Sequence, residues 1–186
     1  MNDVYVEDET FTKNESLAPG EYENCVFNGI DFTGKDFLGF SFLDCVFNAC
    51  NFSLVKLTGT GLWNVEFKDC KLLGVQFEAC NEMGLSFSFD RCQIKHSSFY
   101  GMNIKSTKFE DSIIEDADFS EANLTGATFG NCDLRQSVFN RTVLEKVDFR
   151  TAHNFSIDPE ENRIKKAKFS KENIRGLLTK HDIIID

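Results

Sequence analysis

Ala117-Asp118-Phe119-Ser120-Glu121 is followed without a gap by Ala122-Asn123-Leu124-Thr125-Gly126, and the two blocks align residue for residue. In each, a small residue comes first, a short polar one second and a large apolar one third. The period is five, which matches neither the roughly 3.6 of an α-helix nor the roughly 2 of a strand. Working outward, a large apolar residue stands at every fifth position from Tyr22 to Phe77 and again from Phe89 to Phe149. A slower beat runs beneath it: Phe27, Phe47, Phe67, Phe89, Phe109, Phe129, Phe149 and Phe169 are twenty residues apart, except for the twenty-two between Phe67 and Phe89. Four fives make one turn. A five-residue unit cannot bury its own apolar side chain, so the units must stack into a solenoid.

From Phe89 onward, Phe alternates with Ile or Leu at the centres. Two opposite faces should therefore stack rings at a coil spacing of about 4.8 Å, and the other two should stack aliphatic side chains. Glycine recurs two residues after a centre, at Gly29, Gly34, Gly39, Gly59 and Gly74, where a tight corner needs positive φ. The register slips inside Asn81-Glu82-Met83-Gly84-Leu85-Ser86, where the expected centre is the acid Glu82. Two extra residues there predict a bulged corner, with Leu85 or Met83 turned inward in place of Glu82.

The seven cysteines, Cys25, Cys45, Cys50, Cys70, Cys80, Cys92 and Cys132, all stand two residues before a centre, in a slot that elsewhere holds Val, Ala or Ser. They belong to the repeat as small buried side chains. No Cys-x-x-Cys occurs and the count is odd, so neither a metal site nor a disulfide framework is expected. His96, His153 and His181 lie far apart in the coil register, and no phosphate-binding glycine loop is present. The expectation is a non-enzyme without cofactors.

These spacings divide the chain into a leader over residues 1–21, a repeat over 22–150 with a two-residue bulge near 81–88, a distorted last coil over 151–170, and a tail over 171–186. In the leader, Val4-Tyr5-Val6 could form a short strand, and Phe11 and Leu17 could plug the open end. In the tail, Ser170 reads as an N-cap, and Ile174, Leu177 and Leu178 fall on one face of a capping α-helix over residues 171–180. The run Ile183-Ile184-Ile185 that follows is too apolar to be left in water. It should pair as a short strand, with the last coil or with a second chain. No apolar run approaches the roughly 18 residues of a membrane span. The N-terminus lacks a basic start and an apolar stretch, which points to the cytoplasm.

Together with Cys132-Asp133-Leu134-Arg135-Gln136, the two opening blocks resemble the A(D/N)Lxx units of the pentapeptide-repeat proteins. The resemblance covers residues 22–150. It implies that family's fold, an all-β solenoid built as a right-handed quadrilateral parallel β-helix, with the centre and the residue two before it pointing inward. Qnr-type and MfpA-type members of the family bind DNA gyrase and are described as mimics of duplex DNA. Qnr-type members also dimerise through a C-terminal helix. The resemblance therefore implies a protein partner, with DNA gyrase or another type II topoisomerase as one candidate, and no direct binding of nucleic acid or membrane.

The charge pattern tests the mimicry. The net charge is −10. More than half of it falls in the first 23 residues, where seven acids face the single base Lys13. Residues 24–150 hold seventeen acids against twelve bases, a net of minus five. Duplex DNA would carry about eighteen charges over the roughly 31 Å these coils span. Columns such as Lys95, Glu115 and Arg135 read instead as inter-coil ion pairs. One run stands out: Glu110, Asp111, Glu115, Asp116, Asp118 and Glu121 have no base between them, and Asp90 should stack on Glu110. This is a candidate acidic partner patch. A second candidate is the column Leu43, Trp63 and Met83, three large apolar residues in outward slots beside the bulge. Either the leader folds over them, or a protein partner does, or they are exposed with no partner. The third is a homodimer contact through Ile174, Leu177, Leu178, Ile183, Ile184 and Ile185.

Overall fold

Each five-residue block folds as a very short extended segment and a corner, and four corners bring the chain back above the point it left. The computed structural model describes residues 4–13, 17–181 and 183–184. It is a right-handed quadrilateral parallel β-helix of about six turns. One face carries strands at Val4–Glu7, Gly20–Glu23, Phe40–Leu43 and Gly61–Trp63. The next carries Thr10–Phe11, Val26–Asn28, Val46–Asn48, Val65–Lys68, Phe87–Asp90, Lys108–Glu110 and Thr128–Gly130. A third carries Lys71–Leu73, Gln93–Lys95 and Ile113–Glu115. Parallel bridges such as Asp36 with Lys56 and Asp118 with Val138 close the fourth side. The register follows the phenylalanines: Phe47 faces Phe67, Phe67 faces Phe89 across the slip, and Phe109 faces Phe129.

The leader is part of the coil. Val4–Glu7 pairs with Gly20–Glu23, and Phe11 lies opposite Phe27 with the rings stacked at 5.0 Å.

Inside, one column of rings runs from Phe11 to Phe169 and a second from Phe77 to Phe139. Phe89, Phe109, Phe129, Phe149 and Phe169 stack at 4.8 to 5.4 Å, and Phe77, Phe99, Phe119 and Phe139 at 4.6 to 5.2 Å. The columns meet edge to face, as Phe109 and Phe119 do at 5.9 Å and 89°. Each such pair adds about 0.5–1.5 kcal/mol beyond the area it buries. All seven cysteines are buried and free. The thiols of Cys45, Cys70 and Cys92 donate to carbonyls of the coil below, those of Tyr22, Phe47 and Phe67. Burial pushes Cys45, Cys80 and Cys132 up to about 12, so these thiols stay neutral.

The corners use the left-handed conformation where glycine was expected, with φ of 64° at Gly29 and 66° at Gly74. Asn, Asp and other residues take the same conformation at the corners without glycine; one of them is Leu54, at φ 58°.

The C-terminal segment departs from expectation. Instead of an α-helix over residues 171–180, it forms two 3₁₀ turns, Ile174–Leu177 and Thr179–His181. Gly176 explains the difference: a Cβ there would lie 2.4 Å from the Phe155 ring, and its carbonyl accepts from the Ile157 amide. The segment is moulded to the last coil rather than wound about its own axis. Ser170 does cap its start, exchanging backbone-to-side-chain hydrogen bonds with Asn173. Ile183 and Ile184 are exposed and belong to no strand, and Ile185 lies outside the described residues.

Candidate functional site

The two extra residues open one side of the coil. Counting back twenty from Ile104 places Gly84 where a large apolar centre would stand. Phe87 fills part of that volume, buried in a slot that usually holds a small residue, and Leu85 packs partly buried against the core. Met83 points outward and is 78% exposed. The Ser86 amide donates to the Leu62 carbonyl and the Ser86 hydroxyl accepts from the Asn64 amide, so the bulge is fastened to the coil below.

Trp63 completes that fastening. Its indole N–H donates to the Met83 carbonyl. Its ring lies where a Cβ on Gly61 or on Gly84 would be, 2.5 and 2.6 Å from the nearest ring atoms. Leu43 pairs with Trp63 in register and remains partly exposed. Glu7 and Glu23 continue the same column toward the N-terminus, so the leader lies in line with Leu43 and Trp63. What half-covers Trp63 is the bulge.

The acidic residues are distributed differently from their sequence order. Glu110 and Asp111 follow Phe109 on one face, Glu115 and Asp116 follow Ile114 on the next, and Asp118 and Glu121 flank Phe119 on the one after. Each has a partner. Asp90 takes the Arg91 guanidinium, and Glu110 turns away from Asp90 over Gly130 to accept from the Thr128 hydroxyl at 3.0 Å. Asp111 accepts from the Asn131 amide at 2.7 Å, Glu115 pairs with Lys95 at 2.7 Å, and Asp116 meets His96 at 2.6 Å. Asp118 accepts from the Ser120 amide, and Glu121 pairs with Arg141. The Lys95 ammonium beside it lowers the Glu115 carboxyl below its ordinary value.

At the C-terminal end, Leu177 packs partly buried against the core and Leu178 is half-buried, while Ile174, Ile183 and Ile184 are exposed. Among the described residues, no group of three or more His, Cys, Asp or Glu side chains is arranged to hold a metal ion. No helix among them is long and apolar enough to cross a membrane.

Residues 74–149, which include the bulge and the sharpest part of the five-residue beat, match the family model of the pentapeptide repeat region. That stretch is a pentapeptide-repeat region. Among solved structures, the chain is similar to a trypsin-treated variant of QnrB1, a plasmid-mediated fluoroquinolone resistance protein. Identity is 15% over 98% of this chain and 100% of that one, with a TM-score of 0.50. It is also similar to HetL, a pentapeptide-repeat protein involved in heterocyst differentiation regulation from the cyanobacterium Nostoc, at 10% identity over 89% and 85% of the two chains and a TM-score of 0.43. At 15% identity the likeness to QnrB1 is one of fold. No curated protein sequence matches the chain.

Sequence spacing placed Leu43, Trp63 and Met83 side by side, but not the residues that seat the indole. Gly61 and Gly84 carry no periodic signal for a ring beside them. On the other flank of the bulge lies a cleft of about 450 Å³ lined in part by Glu78, Glu82, Leu85 and Tyr100. Nothing in the five-residue beat marked it, because it exists only where the beat fails.

Proposed function

We propose that this chain is a non-enzymatic module that binds another protein, and that the bulged corner is its contact surface. The observation that supports this best is Met83, a large apolar side chain 78% exposed on a corner that Trp63 holds in place. A rigid apolar knob with partly exposed Leu43 two coils away offers a partner a preorganised anchor. The repeat itself asks for nothing apolar in these slots. Seven free, buried thiols suit a reducing compartment such as the cytoplasm.

A DNA-mimicking regulator of gyrase is the second reading. Two things count against it: Asp90, Glu115 and Glu121 are ion-paired with Arg91, Lys95 and Arg141, and the remaining charges of Glu110, Asp111, Asp116 and Asp118 are spread around the coil, whereas a mimic needs uncompensated negative charge along one side. The first bait is nevertheless DNA gyrase from the same host, with a supercoiling readout at low and at moderate salt. Docking through the corner predicts binding that changes little with salt and is weakened by Met83→Glu. Binding that collapses with salt and ignores Met83→Glu would transfer the function to the acids. For the C-terminal end, our reading is an isologous homodimer through the Ile174, Leu178, Ile183 and Ile184 surface.

A further inference from the structure

The cleft beside the bulge has a chemistry of its own. Among the described residues, no backbone hydrogen bond joins residues 81–85 to residues 102–106, although Gln76 still pairs with Ser98 and Phe89 with Phe109 on neighbouring sides of the same coil. The ladder is broken on one side only. The Cys80 and Asn103 carbonyls, which stand where the regular pattern supplies a donor from an adjoining coil, have none. The cleft of about 450 Å³ opens at this break. Leu85 and Met102 give it apolar wall, Tyr100 contributes an aromatic ring that is 47% exposed, and Glu78 and Glu82 supply two carboxylates.

Those two acids differ from the seven already described. Among the described residues, neither carboxylate has an ion pair or a hydrogen bond, and no Lys or Arg lines the cleft. An unpaired acid rim, an aromatic face, apolar wall and the unmet Asn103 carbonyl complement one side-chain chemistry: a cation with many donors and an aliphatic stem. Arginine fits better than lysine, because its planar guanidinium stacks on a ring and offers five N–H groups to carboxylates and carbonyls together. Its methylenes would lie against Leu85 and Met102.

We propose that this cleft receives an arginine side chain from the protein partner. The proposal rests on the protein-binding reading for the source of the arginine, while the guanidinium site itself is testable without a partner. Trp63 is the chain's single tryptophan, and its ring touches Gly84, which lines the cleft. Its fluorescence therefore reports occupancy.

The probe is a blocked Gly-Arg-Gly tripeptide titrated into the full chain, beside the same peptide carrying lysine and the same peptide carrying neutral citrulline. Amide chemical shifts of Gly84 and Tyr100 give a second readout. The arginine peptide should saturate both signals, and citrulline should bind about tenfold more weakly because the charge-assisted hydrogen bonds are gone. The double variant Glu78→Gln, Glu82→Gln should weaken the arginine peptide by about tenfold too, whereas Glu161→Gln on the last coil should leave it unchanged. Equal binding of citrulline and arginine, an unaffected double variant, or no saturable response in either signal overturns the site. Arginine binding by a chain that captures no host protein would remove the protein-binding reading and leave the guanidinium site standing.

Discussion

Trp63 occupies an outward slot of the repeat, yet its indole is enclosed by Gly61 below, Gly84 above and the Met83 carbonyl at its N–H. Removing it should loosen the bulge before it affects any partner. Trp63→Ala is expected to lower unfolding stability by about 1–3 kcal/mol, from the half-buried ring and its hydrogen bond together. Met83→Ala, which removes only exposed atoms, should stay within about 0.5 kcal/mol of the parent. Urea unfolding of the two variants decides it: a neutral Trp63→Ala would mean the indole pins nothing. The spacing of Leu43, Trp63 and Met83 was legible as a column, because coil stacking turns a separation of twenty into contact. The seat of the ring was not legible. A glycine in sequence reads as a corner, and only the fold reveals that Gly61 and Gly84 are places where a side chain would collide with tryptophan.

At the scale of the element, the regular strands were readable and the tail was not, for a shared physical reason. A strand of the solenoid is specified by its neighbours twenty residues away, so its period is written many times over. The C-terminal segment is written once. Its spacing at Ile174, Leu177 and Leu178 suits an α-helix, but Gly176 is pressed onto Phe155, and the Asn173 side chain is drawn onto the last coil. The Asn173 amide nitrogen donates to the Phe149 carbonyl at 2.6 Å and to the Ala152 carbonyl at 2.9 Å. This side chain closes the end of the ladder where no further strand arrives. Asn173→Ala should therefore cost about 1–3 kcal/mol, since it leaves the Ala152 carbonyl without its donor while Phe149 keeps only the Ala152 amide. It should also speed hydrogen exchange at Ile157 and Gly176 more than at Phe109 or Phe129. Uniform exchange across these sites would show that the segment is no cap. The acids at 110–121 fall at this scale too: contiguous in sequence, they are carried around successive sides of the coil, and their partners come largely from the coils above and below.

At the scale of the whole molecule the two ends are unequal. The N-terminal end is closed: Phe11 stacks on Phe27, Leu17 is buried, and Lys35 stands in an inward slot with its ammonium 3.2 Å from the Leu17 carbonyl and 5.0 Å from the Phe40 ring centre. Burial lowers the Lys35 amine below its ordinary value, but the carbonyl and three neighbouring rings, Phe32, Phe37 and Phe40, still receive it. Among the described residues, those at the C-terminal end cover one half of it. Asn173, Gly176 and Leu177 cover the side of Phe155 and Ile157, while Ile164 and Phe169 remain half-buried and Ile174 and Ile184 are exposed. A stable contact needs about 800 Å² from each partner, a modest part of this chain's 9954 Å² surface. An isologous dimer would satisfy the uncovered half on both copies at once. Sedimentation equilibrium at tens of micromolar should then report a dimer, and Ile174→Glu with Ile184→Glu should report a monomer of unchanged circular dichroism, because neither side chain supports the core. A parent chain that sediments as a monomer, or a double variant that stays dimeric, would move the contact elsewhere and leave this end as an ordinary exposed surface.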